Sequence, residues 1–158
     1  MPNVSSISKD TNGPVANALT FKNDISIIIN MASDAYVIRI EDGANPDRYE
    51  CRVAAVLANH FKSDIILRKN GQSYSPDLLV VRLNQLWEIK NIRGNGVHTI
   101  EHNLLKARLQ SDKVIVSLYR TKMTPKRAVG RIKAELTKNH EIKRLILITR
   151  DGKTIEIK

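Results

Sequence analysis

Asp77, Glu88 and Lys90 put charge where charge is costly. They lie in SPDLLVVRLNQLWEIKN, residues 75–91, which otherwise reads as two apolar strands joined by a polar turn. Side chains alternate along a strand, so Glu88 and Lys90 share one face while Trp87 and Ile89 take the other. Asp77 joins the charged face if the turn is centred between Leu83 and Asn84, which sets it opposite Lys90 and diagonal to Glu88. A shift of half a residue sends it to the other face, so spacing alone leaves both arrangements open. Two carboxylates and one ammonium gathered together can hold a hard divalent cation, Mg²⁺ or Mn²⁺, through oxygen. Such an ion neutralises phosphate charge and acidifies a bound water. The lysine stabilises charge developing on phosphoryl oxygens or positions that water. The chemistry is phosphodiester hydrolysis. The competing reading is a surface ion pair, worth under ~1 kcal/mol. Glu-x-Lys occurs three times, at 88–90, 141–143 and 156–158. Only the first follows a Pro-Asp and sits in an apolar hairpin, so the other two read as a solvated strand edge and a chain end.

The elements that must position these residues follow from periodicity. RYECRVAAVLANHF has Tyr49, Val53, Val56, Leu57 and Phe61 at helical spacing, with Asp47 as N-cap and Glu50 in the first turn. SDIILRKNGQ predicts a strand ending in an Asn-Gly turn. HTIEHNLLKARLQS predicts a helix with Ile100, Leu104, Leu105 and Leu109 inward, and KVIVSLYR a buried strand. TPKRAVGRIKAELTKNH predicts a helix capped by Thr124, with Pro125 in its first position and Ala128, Ile132 and Leu136 inward. A strand, an Asp-Gly turn and a last strand close the chain. ISIIIN and AYVIRI read as strands ahead of the first helix, and Met1 to about Phe21 as a polar tail. The pattern predicts an α/β or α+β fold, a mixed central sheet flanked by helices. The expected division is a polar N-terminal segment over 1–34 and one domain over 35–158.

Composition limits what that domain can be. Of 158 residues, 42% are apolar, enough for a core and too many for disorder. No apolar run approaches the roughly 18 residues of a membrane span. The N-terminus lacks a basic stretch followed by an apolar core, so a cleavable signal peptide is not expected. One cysteine, Cys51, excludes an internal disulfide framework, and it reads as an inert thiol. Lys and Arg number 26 against 16 Asp and Glu, a formal net charge of +10. That surplus points to a polyanionic partner: nucleic acid, an anionic membrane or an acidic protein. Arg93, Lys106 and Arg108 adjoin the charged hairpin. Lys126, Arg127 and Arg131 belong to the most basic helix. Each is a candidate phosphate contact, and each is also what a solvated face looks like. Gln110 either reaches back to the site or simply leaves the helix. His98-x-x-Glu101-His102 imitates a zinc-protease pattern but lacks a third ligand.

Ser-Pro-Asp, ten residues and Glu-Ile-Lys resemble the PD-(D/E)xK nuclease signature. Within that superfamily the run WEIKN…GN…LLKARLQSDKVIVSLYR…LILITRDGK is similar to C-terminal toxin domains of the CdiA type. The resemblance spans roughly 36–158. It implies a PD-(D/E)xK-like core with Glu50, Asp77, Glu88 and Lys90 as the catalytic set, the three carboxylates holding metal. It implies a toxin of contact-dependent growth inhibition that cleaves tRNA, with DNA as the other substrate such cores cut. It also implies an acidic cognate immunity protein and delivery as part of a larger bacterial protein, from the cell surface into a target cell's cytoplasm. A basic nucleic-acid-binding module without catalysis is the alternative from another class.

Overall fold

The computed structural model describes residues 36–71 and 75–158 with their side chains. Of residues 1–35 it describes only the backbone of strands. The chain packs as two compact units, one of residues 1–69 with 78–85, the other of 70–77 with 86–158. The sequence alone marks a single domain from 35 to 158.

In the first unit the strands are β1 (Ser5–Ser6), β2 (Ala18–Thr20), β3 (Ser26–Met31), β4 (Asp34–Ile40), β5 (Ile65–Leu67) and β6 (Leu78–Val80). They pair in that order. β4 and β5 are parallel and the other pairs antiparallel. β1 and β2 fall in the stretch that composition marks as a tail. Their pairing comes from backbone hydrogen bonds, which polar composition does not forbid; the side chains there lie outside the described residues. Helix α1 (Arg48–Phe61) joins β4 to β5 and buries Val53, Ala54, Leu57, Ala58 and Phe61. Asp47 caps it, as its position predicts. β5 does not end in a two-residue Asn-Gly turn. Leu67 pairs with Leu78, so residues 68–77 form a longer connection. β6 is also shorter than the apolar run predicts. Val81–Leu83 form a 3₁₀ turn closed by left-handed Asn84, whose N–H donates to Val81 O at 3.1 Å. Val81 and Leu83 are consequently exposed.

The second unit contains β7 (Gln85–Asn91), α2 (Thr99–Ala107), β8 (Lys113–Ser117), α3 (Pro125–Leu136), β9 (Arg144–Ile148) and β10 (Thr154–Glu156). β7, β8 and β9 are parallel and in register, and β10 returns antiparallel to β9. The two helices bury Ile100, Leu104, Ala107, Ala128, Ile132 and Leu136 in one cluster with Val114, Val116, Leu145 and Leu147 of the sheet and with Leu118 just after β8. The strands' alternate side chains Trp87, Ile89, Ile115, Ile146 and Ile148 are buried too. Leu109, expected inward, is 58% exposed. α2 stops at Ala107, so Leu109 no longer follows the helical period. The mixed strands and three helices bear out the α+β reading.

Candidate active site

Register explains where the hairpin charges go. Glu88 is the Cα partner of Val114 and Lys90 that of Val116. Both valines face the helices, so Glu88 and Lys90 do as well, and Ile92 beyond them joins the same apolar cluster. Glu88 is only 1% exposed. Lys90 Nζ donates to Glu88 Oε1 at 2.5 Å and to Gln110 Oε1 at 2.8 Å. Gln110 follows α2, where its N–H donates to Ala107 O at 2.9 Å. Next to it, Ser111 Oγ donates to Leu86 O at 3.1 Å and ties the segment to β7. The choice left open for Gln110 is settled in favour of contact. No sequence signal could have chosen, because the two partners are 20 residues apart.

Asp77 precedes β6 and reaches the cluster through its side chain. Ile89 N–H donates to Asp77 Oδ2 at 2.8 Å. The carboxyl lies within hydrogen-bonding reach of that of Glu88. Burial pushes the Asp77 carboxyl above its ordinary range, against the Ile89 N–H and the Lys90 charge. Burial pushes Glu88 up to about 8, the Asp77 charge adds to this, and Lys90 opposes it. The two carboxyls interact, so their titration belongs to the pair. Glu88 Oε2 is buried and no donor reaches it. Two carboxyl groups in contact with no donor between them need a proton or a cation. Hard oxygen donors of this kind suit Mg²⁺ or Mn²⁺, which bind one or two carboxylates and fill their remaining positions with water and phosphate.

Glu50, which the resemblance adds to the catalytic set, has a local role in its own helix. It sits in the first turn of α1, in the other unit, and its Oε2 accepts from Asp47 N–H at 2.6 Å. Asp47 Oδ1 accepts in return from Glu50 N–H at 2.9 Å, which completes a capping box. Among the described residues no three Asp, Glu, His or Cys side chains converge as a metal-binding group. Capping geometry engages the Glu50 carboxylate at its own helix end.

Burial separates the three Glu-x-Lys copies. Glu141 and Glu156 are exposed and pair with Arg108 at 3.3 Å and Arg144 at 3.2 Å. Arg108 also donates to Asn139 at 3.2 Å, so a candidate phosphate contact is engaged within the fold. Arg131, another, donates to Gly96 O at 2.5 Å and braces the loop after β7. Arg93, Lys106, Lys126 and Arg127 are exposed. His98 and His102 stack at 6.1 Å on the exposed start of α2, and His98 Nδ1 lies 2.8 Å from Glu101, an ion-pair geometry. Trp87 is buried beneath the Arg144 guanidinium, 5.2 Å from its ring. Burial raises the Cys51 thiol, and Glu50 and Asp47 raise it further, the opposite of what a nucleophile needs.

The comparisons with known proteins bear on this second unit most directly. A family model described as the contact-dependent growth inhibition CdiA C-terminal domain matches residues 74–154, which include Asp77, Glu88, Lys90 and Gln110 but not Glu50. The fold is similar to a solved chain from Burkholderia pseudomallei, described as a CdiA-CT/CdiI toxin and immunity complex. That similarity has a TM-score of 0.54 at 18% identity, over 77% of this chain and 98% of that one. No curated protein matches. With half its length matched by one family, the chain belongs to the CdiA C-terminal toxin domains of contact-dependent growth inhibition.

Proposed function

We propose that this toxin domain is a metal-dependent nuclease of the PD-(D/E)xK type, with tRNA as its substrate. The observation that carries the reading is the buried contact of Asp77 with Glu88, where Glu88 Oε2 has no donor and Lys90 closes the other side. Asp77 and Glu88 would hold Mg²⁺ or Mn²⁺, which when bound supplies a water of lowered pKa and neutralises phosphate charge. The backbone N–H of Ile89 orients Asp77, and Gln110 and Glu88 hold the Lys90 ammonium. Lys90 has three donors, and its bonds to Glu88 and Gln110 leave one for a phosphoryl oxygen or the attacking water. Glu88 must release its proton to serve as a metal ligand. The formal charge of +10 fits a polyanionic substrate.

The relative from Burkholderia is described as a complex with an immunity protein. A cognate immunity protein for this domain would be acidic, and would meet so basic a surface quickly through electrostatic steering. Residues 1–34 would be the end of a delivery region, and the toxin would act in the cytoplasm of the target cell.

Purified chain incubated with tRNA, or with duplex DNA, with and without Mg²⁺ or Mn²⁺ tests the reading. We expect tRNA cleavage only with metal. Asp77→Ala, Glu88→Ala and Lys90→Ala should each lower it by at least a hundredfold, since the three act as one unit, with the circular dichroism of the wild type. Cleavage of DNA alone would change the substrate. Nucleic acid retarded but intact with metal would leave only a binding module. Full activity in any variant removes that residue from the set.

A further inference from the structure

Because β7, β8 and β9 are parallel and in register, their carboxyl ends lie side by side. Three connections meet there. Thr121 Oγ1, in the β8–α3 loop, donates to Gly94 O of the β7–α2 loop. Arg150, after β9, donates to Thr121 O. Arg131 reaches from α3 to Gly96 O. Gly94, at φ +74°, supplies a conformation that L residues rarely adopt. These bonds hold a set of basic side chains at one rim. Arg93 adjoins Gly94, Lys122 adjoins Thr121, and Lys126 and Arg127 occupy the first turn of α3, which contains no acidic residue. All four are exposed, and among the described residues none of the four side chains makes an ion pair or hydrogen bond. The one acidic residue in the three connections, Asp151, is paired with Lys153 at 3.1 Å.

Such an arrangement opposes folding. Like charges are gathered, and two of them sit at the positive end of a helix, where cations are disfavoured. A polyanion removes both penalties. We propose that the carboxyl end of the second unit's parallel strands is a docking surface for the phosphate backbone of a nucleic acid, with Arg93, Lys122, Lys126 and Arg127 as its contacts. Arg131, Thr121 and Gly94 are positioning residues that hold the loops in place. The surface begins at Arg93, three residues past Lys90 and at most about 10 Å from it along an extended chain, so it grips the substrate beside the reacting phosphate. The proposal rests on the reading of nucleic acid as substrate, but not on catalysis.

Binding of a fluorescently labelled tRNA is measured by anisotropy in EDTA across a salt series, with separate cleavage assays in Mg²⁺. Arg93→Gln/Lys122→Gln/Lys126→Gln/Arg127→Gln should bind at least tenfold more weakly at about 0.15 M salt, and the slope of log K against log salt should become shallower by about 3. In cleavage, KM should rise while kcat holds. The loop pair Arg93→Gln/Lys122→Gln, outside any helix, should give about half the change in slope. Lys143→Gln/Lys158→Gln, at the opposite end of the strands, should alter affinity by less than about threefold. Wild-type affinity in the quadruple and loop variants, or an equal loss in the control, overturns the proposal. So does labelled polyglutamate that binds as tightly as tRNA and loses binding in the same variants, since the surface would then belong to an acidic protein. Retained tRNA binding that depends on this rim, with no cleavage in Mg²⁺, would support the docking surface and refute the nuclease.

Discussion

At the scale of single residues, Glu88 links stability to pH. Its folded carboxyl is pushed from an ordinary 4.5 up to about 8, chiefly by burial. The folded state thus binds more protons than the unfolded one between those values, and stability must fall as pH rises through that window. The contribution is fully present below 4.5 and lost above about 8. Glu88→Gln keeps the shape without the charge, so in EDTA the variant should gain on the wild type with rising pH. Chemical denaturation of both proteins between the two values measures this, and parallel curves would mean that the carboxyl is not perturbed. Metal acts in the other direction. Bound to the native state at a hundred times its dissociation constant, it should add about 2.7 kcal/mol. It must displace the Glu88 proton, so its apparent affinity should weaken as pH falls below about 8. Thermal melts with and without Mn²⁺ should show the gain in the wild type and little of it in Glu88→Gln. The same melting temperature with and without metal, at concentrations that saturate cleavage, would reduce the pair to an ordinary buried contact.

At the scale of elements, α1 decides what Glu50 does. Asp47 accepts from two helix N–H groups and Glu50 accepts from Asp47 N–H. Asp47→Ala should cost about 1 kcal/mol, and Glu50→Ala a comparable amount. Glu50→Gln keeps an acceptor oxygen and should cost less than about 0.5 kcal/mol. If the capping box is the residue's whole task, Glu50→Gln also cleaves tRNA at the wild-type rate. Lost cleavage in a stably folded Glu50→Gln chain would place that carboxylate in the catalytic set. Capping was legible in the sequence because it is local. Asp-x-x-Glu before an apolar period is a sufficient signal, and Thr124-Pro125 marks α3 in the same way. The end of α2 was not legible. Leu105 and Leu109 continue its apolar period, yet the helix stops at Ala107 and leaves Leu109 in solvent.

At the scale of the whole molecule, the surplus of ten positive charges acts on every partner at once. Association with an acidic protein or with tRNA should slow steeply as salt rises, because steering is screened beyond a Debye length of about 10 Å at 0.1 M. Stopped-flow association with tRNA in EDTA, at several salt concentrations, reports this directly. A rate independent of salt would show that the charge does not guide the encounter.

Composition, periodicity and local caps thus determined the mixed sheet, its helices, the basic character and the residues of the charged hairpin. These depend on neighbours a few positions apart, and the alternation of a strand is enough to place Glu88 beside Lys90. Only tertiary structure decided that this face lies under the helices, which makes Glu88 a buried carboxyl while Glu141 and Glu156 remain in solvent. It also decided that Asp77 arrives through a hydrogen bond to Ile89, that Gln110 reaches Lys90, and that Glu50 closes a helix end. The physical reason is that burial and long-range hydrogen bonds depend on which surfaces pack together. A pattern of residue types along one chain is compatible with several such packings, and the free energy of the folded whole selects among them.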